Sequence, residues 1–163
     1  MMNPNFNSYK AEITHPIKYR LYMLENLPAA FFAGIKLVDL SETCARLSVP
    51  QKWFNKNPFQ SIYLGILTMA AEISTGILCM SAIYKRRPRI SMLPVNMKSV
   101  FHKKATGKIV FICNDGLKIN EVVEEAIASG EAKTVLCHTL GLNQSDEIVA
   151  EFYFTWSFKP KSK

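Results

Sequence analysis

The sequence predicts an α+β protein in which a largely antiparallel β-sheet is wrapped around one long central helix. The chain of 163 residues contains six segments with strand character, and short turns join most of them. Between the second and third of these segments lies an apolar stretch that is too long for a strand and apolar on nearly every side. A surface helix would show a polar face, so we expect the sheet to cover this helix.

The N-terminal segment is predicted to contain one short helix. Residues 1–10 are polar and rich in Asn, and we expect no regular structure there. A helix is predicted over 16–27, with Thr14 as its N-cap and Pro28 as the residue that ends it. The apolar residues that recur at helical spacing in this segment are Ile17, Leu21, Leu24 and Leu27.

Two strands precede the central helix. They are predicted over 34–40 and 43–49, with a turn at Ser41 between them. The central helix is predicted over 61–84, with Ser61 as its N-cap. Several polar residues interrupt its apolar run, so we expect no membrane span, which needs about 20 predominantly apolar residues.

Four strands and one helical insert follow the central helix. The insert is predicted over 118–129, where apolar residues recur at helical spacing and Gly130 forms the C-cap. The four strands are predicted over 90–103, 108–113, 132–142 and 147–159.

The composition is that of an ordinary globular protein, with 48% hydrophobic and 20% charged residues. We predict a single domain over 29–160 that follows the N-terminal segment 1–28. The four cysteines lie far apart and lack metal-ligand spacing, which favours free thiols in a reducing cytoplasm. The three histidines fall on separate elements, so no metal site is predicted. The first twenty residues lack the apolar core of a secretory signal.

The formal net charge of +7 is concentrated in three clusters. Such clusters indicate either a phosphate-bearing partner or a plain solvated surface. The chain lacks the signatures of RNA-recognition motifs, zinc fingers and helix-turn-helix domains, so we expect no nucleic-acid partner. The clusters are Lys85, Arg86, Arg87 and Arg89; Lys98, His102, Lys103, Lys104 and Lys108; and Lys159, Lys161 and Lys163.

Glu72 is the most informative residue, because it is the only charged side chain between Lys56 and Lys85. An ionised carboxylate is rarely buried without a partner, since its desolvation costs several kcal/mol. Glu72 is therefore expected to pair across the fold, to titrate with a raised pKa, or to take part in chemistry. Small or polar residues share its helix face, namely Gly65, Thr68, Thr75 and Gly76.

The residues around Glu72 resemble the active-site motif of hot-dog-fold thioesterases. Many of these enzymes carry an Asn or Gln, a His-Gly-Gly six residues later, and an acid nine residues after the His. Here Asn57 lies six residues before Tyr63, Gly65 matches the second glycine, and Glu72 lies nine residues after Tyr63. The segment 101–108 is similar to the strand-turn-strand of the family. The run Asn-Pro-Phe-x-Ser-Ile-Tyr is typical of an uncharacterised, thioesterase-like branch.

The resemblance implies a hot-dog fold and hydrolysis of acyl-coenzyme A or another acyl thioester. Glu72 would act as nucleophile or general base, Asn57 would position the reactants, and the backbone N–H groups of Leu64 and Gly65 would hold the oxyanion. The family further implies a homodimer or a dimer of dimers, and no cofactor apart from the coenzyme A of the substrate. Substrate contacts would come from Tyr63 and Thr68 and, for the phosphates, from Arg86, Arg87, Arg89, Lys103 and Lys104.

Two departures from the family motif keep a second interpretation open. Tyr63 replaces the His, and Leu64 replaces the first Gly. The alternative function is a non-catalytic module of the same fold that binds an acyl chain or acyl-coenzyme A. In that case Glu72 would be a buried structural residue at a dimer seam, and Asn57 a turn residue before Pro58.

Overall fold

The computed structural model describes residues 2–161, so Lys163 of the third basic cluster lies outside the described residues. Six strands form one antiparallel sheet in the order β1-β2-β4-β5-β6-β3. The strands are β1 (Lys36–Leu40), β2 (Ala45–Pro50), β3 (Ile90–Phe101), β4 (Lys108–Cys113), β5 (Lys133–Leu142) and β6 (Ile148–Pro160). The predicted fold class is confirmed, and each predicted strand lies within two residues of its observed ends.

The sheet has one buried face because its strands alternate in polarity. In β6 the aromatic residues Phe152, Phe154, Trp156 and Phe158 point inward and are buried, while the residues between them lie on the outer face. Strand β3 pairs with β6 on one side only, so its other edge is open.

The central helix α4 (Leu64–Ile83) packs across the inner face of the sheet. The Ser74 hydroxyl bridges helix and sheet, donating to the Ala71 carbonyl at 2.7 Å and contacting the Thr139 hydroxyl at 2.8 Å. By length and composition α4 is apolar enough to cross a membrane, but 67% of its most apolar window is buried inside the fold. It therefore matches the core helix that the sequence predicts.

Helix α5 (Gly116–Ser129) packs against α4 and against strands β5 and β6. Gly130 ends it in the left-handed conformation, with φ of 71°, as predicted. At its first turn Gly116 lies directly against the backbone of Glu42, and a Cβ atom there would collide with that backbone. Glycine is thus required at the start of this helix.

The N-terminal region differs from the prediction, because it contains three helices: α1 (Phe6–Ile13), α2 (Pro16–Asn26) and α3 (Pro28–Ala33). The expectation of an unstructured start is wrong, since the side chains of Phe6 and Tyr9 are buried against the core. Pro28 ends α2 as expected but also begins α3, because proline suits the first position of a helix.

Asn3 fastens this N-terminal region to the end of α4. Its side-chain amide donates to the carbonyl oxygens of Ser81 at 2.7 Å and Tyr84 at 2.9 Å. Its backbone N–H donates to Oδ1 of Asn120 in α5 at 3.1 Å. The side chain of Asn3 therefore acts as a C-cap for α4 from a distant part of the chain.

Helix α2 has the predicted spacing but turns its apolar face outward. Ile17 and Leu21 are 66% and 59% exposed, whereas Tyr19 and Met23 face the protein. Its N-cap is His15 rather than Thr14, which ends α1 instead.

Candidate functional site

Glu72 lies near the middle of α4 and is partly buried. Its carboxylate makes no ion pair and no hydrogen bond with any residue that the structure describes. Burial raises the pKa of this carboxyl above that of an ordinary glutamate. Of the three possibilities that the sequence left open, no pairing of Glu72 occurs within the described residues of one protomer, and its burial favours a raised pKa.

The Glu72 carboxylate lines a cavity of about 250 Å³, referred to below as the Glu72 cavity. Helix α4 forms its floor, β3 and β6 form one side, and α1 and α2 form the roof. The lining is mostly apolar and includes Met23, Ile73, Met92 and Trp156. An apolar cavity with one convergent polar group is the usual form of a small-molecule site.

Gly76 and Trp156 lie beside the Glu72 side chain. A Cβ atom at Gly76 would be 3.4 Å from Oε1 of Glu72 and 3.5 Å from the Trp156 ring, which are ordinary van der Waals contacts. The Trp156 indole N–H donates to the Thr75 hydroxyl at 3.0 Å, and that hydroxyl donates to the Glu72 carbonyl at 3.0 Å. The floor beneath the carboxylate is therefore rigidly held.

The N-terminus of α4 presents unpaired backbone donors. The first helical carbonyl is that of Tyr63, which accepts from the N–H groups of Ile66 and Leu67. No side chain caps the helix, and within residues 2–161 the N–H groups of Leu64 and Gly65 have no acceptor. The predicted cap at Ser61 is therefore wrong.

The Tyr63 ring lies beside these donors. A Cβ atom at Gly65 would be only 3.0 Å from that ring, so glycine is needed for the ring to take this position. The side chains of Tyr63 and Leu64 are 57% and 50% exposed, which is unusual for large apolar groups. This end of the helix is thus an open surface with two N–H donors and an aromatic neighbour.

Asn57 is engaged within its own loop. Its Oδ1 accepts from the backbone N–H of Phe59 at 2.9 Å and from that of Ser61 at 3.1 Å. Its amide donates to the Ser61 hydroxyl at 3.0 Å. These contacts match the turn role that the sequence left open, and they fix the loop leading into α4.

The helix terminus and Glu72 do not meet within one protomer. Leu64 and Glu72 are eight positions apart in α4, which corresponds to about 12 Å along the helix axis. A site that uses both would require a second copy of the chain.

The predicted substrate-binding residues are dispersed. The Thr68 hydroxyl donates to the Leu64 carbonyl at 3.0 Å. Arg86 forms an ion pair with Glu124 at 2.6 Å, and its side chain is only 12% exposed, so it joins α4 to α5. Lys103 pairs with Glu147 at 2.5 Å and thereby lowers the pKa of that carboxyl. The remaining residues, Arg87, Arg89 and Lys104, are exposed.

Sequence reasoning missed the tyrosines that roof the Glu72 cavity. Tyr9, Tyr19 and Tyr22 come from α1 and α2. Burial raises the pKa of both Tyr9 and Tyr19, so their hydroxyls stay neutral at ordinary pH. The three tyrosines at 9, 19 and 22 are visible in the sequence, but only the packing of α1 and α2 in the structure shows that they line this cavity.

A second cluster missed from sequence lies on the outer face of the sheet. Each Glu151 carboxylate oxygen lies 2.8 Å from a histidine Nε2, one from His102 and one from His138. The Tyr153 hydroxyl also donates to Glu151, at 3.0 Å, and the hydrogen bond to His102 contributes most to lowering the pKa of the Glu151 carboxyl.

Over residues 2–161 no group of three or more His, Cys, Asp or Glu side chains is arranged to hold a metal ion.

Comparison with known families gives one match over most of the chain. Residues 20–157 match the model of a domain of unknown function, DUF4442. No curated protein matches the chain in sequence.

Several solved structures share the fold. A protein of unknown function from Pseudomonas aeruginosa, designated a probable thioesterase, is 22% identical with a TM-score of 0.76, over 90% of this chain and 97% of that one. The thioesterase from Haemophilus influenzae is 12% identical with a TM-score of 0.60, over 86% and 88%. The PaaI protein of the E. coli phenylacetic acid degradation operon is 15% identical with a TM-score of 0.62, over 87% and 90%. At these identities the likeness is one of fold, and it confirms the hot-dog architecture.

Proposed function

This chain belongs to the DUF4442 family and has the hot-dog fold, and on that premise we propose that it hydrolyses acyl thioesters such as acyl-coenzyme A. The observation that carries the proposal is the unpaired Glu72 carboxylate, whose pKa is raised, in an apolar cavity. A carboxylate in this environment is a stronger base than one in water, which suits it to accept a proton from a water molecule. We further propose a cytoplasmic location, which the four free cysteines support.

In the proposed reaction Glu72 takes a proton from water while the water oxygen attacks the thioester carbon. The carbonyl oxygen becomes an oxyanion, which the N–H groups of Leu64 and Gly65 stabilise together with the positive end of the α4 dipole. The carbon–sulfur bond then breaks, and the departing thiolate receives the proton from Glu72. The products are one carboxylic acid and one thiol, and the enzyme is restored. Attack by Glu72 itself, followed by hydrolysis of an anhydride, is the covalent variant.

A homodimer would complete this site. Strand β3 is a 12-residue edge strand whose exposed apolar side chains are Leu93, Val95, Met97 and Phe101. Such an edge favours pairing with another strand. We propose that two β3 strands pair antiparallel about a two-fold axis, and that this pairing brings Asn57 and the α4 N-terminus of one copy to Glu72 of the other.

The coenzyme A phosphates are proposed to contact Arg87, Arg89 and Lys104. These side chains are exposed and make no ion pair among the residues described. The guanidinium fork of arginine binds phosphate well. Arg86 and Lys103, which have carboxylate partners, contribute less to this proposal.

One observation favours the alternative of a binding module without turnover. The Tyr63 ring lies against Gly65, beside the two donors that would hold the oxyanion, and the Leu64 side chain projects from the same turn. Both groups narrow the approach of a thioester carbonyl.

A hydrolysis screen separates the two functions. Acyl-coenzyme A esters of increasing chain length are incubated with the protein, and the released thiol is measured. We expect turnover of at least one ester, and a decrease of about a hundredfold or more in the Glu72→Gln variant, the low end of general acid–base contributions. Binding of esters with no thiol released by the wild-type protein would instead establish the binding module.

A further inference from the structure

A second and larger cavity lies on the other side of the N-terminal helices from Glu72. It has a volume of about 710 Å³ and is enclosed by α1, α2 and α3 on one side and by β1 on the other. We refer to it as the N-terminal groove. Ile13, Tyr19 and Met23 line both this groove and the Glu72 cavity, and they form the wall between the two. Glu72 is not part of its lining. The volume is within the range of about 300–1,000 Å³ typical of small-molecule pockets.

The floor of the N-terminal groove is apolar. Met23, Ile35 and Leu40 contribute side chains that are almost fully buried. Phe31 and Leu37 add partly buried apolar surface beside them. A hydrocarbon chain placed here would be removed from water without leaving a polar group of its own unsatisfied.

The rim of the groove is cationic. Four basic side chains line it, against a single acid, Asp39. No carboxylate lies within ion-pairing distance of any of the four in the described part of the chain. The four are Lys10, Arg20, Lys36 and Lys52.

Two of these cations are exposed but contact residues of the rim. The Arg20 guanidinium lies over the Phe31 ring, 5.9 Å from its centroid. The Lys52 ammonium lies over Gly34, where a Cβ atom would be 3.1 Å from Nζ. The positive charge is thus held at the mouth of an apolar groove, and the complementary ligand has an anionic head and an apolar tail.

We propose that the N-terminal groove binds a long-chain fatty acid, with its carboxylate at the cationic rim and its chain on the apolar floor. This site is separate from the Glu72 cavity and does not depend on thioester hydrolysis. If the proposed hydrolysis takes place, its acid product belongs to the same chemical class as this ligand, so the groove would hold product outside the reaction site.

The chemistry of the ligand is tested by displacement of cis-parinaric acid, a fluorescent fatty acid. We expect palmitate to displace the probe at concentrations about tenfold lower than hexadecan-1-ol, which has the same chain without the charge, and to bind less tightly as salt increases. Equal potency of the neutral alcohol would overturn the proposal. So would a tenfold preference for hexadecyl phosphate over palmitate, or displacement by coenzyme A alone, because each assigns the rim to a phosphate.

The location is tested with two matched tryptophan substitutions at partly exposed positions. Val38 lines the N-terminal groove and not the Glu72 cavity. Met80 lines the Glu72 cavity, and also a third cavity between α1, α2 and the end of α4, but not the N-terminal groove. We expect Val38→Trp to weaken probe binding about tenfold or more and Met80→Trp to change it less than about twofold. The reverse pattern would overturn the proposal by placing the fatty acid beside Glu72.

The cationic rim is tested by a triple glutamine substitution, Lys10→Gln, Lys36→Gln and Lys52→Gln. The control removes the same charge elsewhere, with Lys98→Gln, Lys108→Gln and Lys159→Gln. Only the rim variant should lose affinity for palmitate, and both should retain affinity for hexadecan-1-ol. An equal effect of the two variants on palmitate would overturn the proposal. The melting temperature of each variant shows whether it is folded. If Val38→Trp does not fold, the rim variant alone tests where the fatty acid binds.

Discussion

At the scale of single residues, Glu72 has a property that can be measured without any substrate. Burial raises the pKa of its carboxyl in the folded protein, so the folded state holds this proton more tightly than the unfolded state does. As the pH rises through the unfolded and then the folded pKa, the native state therefore loses stability relative to the unfolded state.

This sign predicts the effect of Glu72→Gln on stability. The variant should melt at a higher temperature than the wild type near pH 8, because it removes the cost of burying the ionised carboxylate, and the difference should vanish as the pH falls toward about 4. Scanning calorimetry across this range makes the measurement. Glu121→Gln, at an exposed position in α5, is the control and should show no such trend. A lower melting temperature for Glu72→Gln, or a weaker dimer, would instead show that Glu72 anchors a partner.

Arg86, Arg87 and Arg89 follow α4, and we expect Arg86 to contribute to stability and the other two to ligand binding. Arg87→Glu and Arg89→Glu should each weaken coenzyme A ester binding a fewfold at low salt, without changing the melting temperature, because exposed ionic contacts contribute about 1 kcal/mol or less. Arg86→Glu should lower the melting temperature, because it leaves the Glu124 carboxylate facing a like charge. Titration calorimetry and thermal melts distinguish these outcomes. An unchanged affinity in both exposed variants would move the phosphate contact to Lys104.

At the scale of the helices and strands, the sequence predicted those elements whose bounds depend on residues close together in the chain. The apolar and β-branched residues of 108–113 predicted both ends of β4 correctly, and Gly130 predicted the end of α5. The apolar run around Glu72 predicted the core helix, and a raised pKa of Glu72 was one of the three alternatives that it left open.

The elements that sequence reasoning missed depend on distant contacts. Helix α1 forms in a polar segment because Phe6 and Tyr9 find a surface on α4, and nothing within residues 1–10 shows that surface. Asn57 and Ser61 satisfy each other across a turn, so Ser61 is not available as a cap. The partner of Arg86 lies in α5, which spacing along the chain cannot reveal.

The anchoring of α1 leads to a test of Asn3. Asn3→Ala removes the side-chain donors to the end of α4 and leaves buried carbonyls without partners, so we expect a loss of about 2–3 kcal/mol in the free energy of unfolding. Asn26→Ala is the control, because the Asn26 amide donates only to Tyr22 within α2 at an exposed position. It should cost less than about 0.5 kcal/mol. Equal urea midpoints for the two variants would show that Asn3 does not hold the N-terminal region.

At the scale of the whole molecule, the open edge of strand β3 predicts the assembly. We expect a homodimer at micromolar concentration, formed through β3, in sedimentation velocity experiments. Met97→Lys on β3 should produce monomers, because it places a charge in the seam. Leu136→Lys, at a similarly exposed position on β5, should leave the dimer intact. A monomeric wild-type protein would contradict the shared site in which Asn57 and Glu72 come from different copies.

The hydrogen bonds of Asn3 have a consequence for how the chain folds during its synthesis. Asn3 is synthesised well before its partners at Ser81, Tyr84 and Asn120. Until then α1 has no surface on which to fold, and the roof of the Glu72 cavity is missing. The apolar floor of that cavity is consequently exposed in the nascent chain, and exposed apolar surface of this kind makes an incomplete chain prone to aggregation.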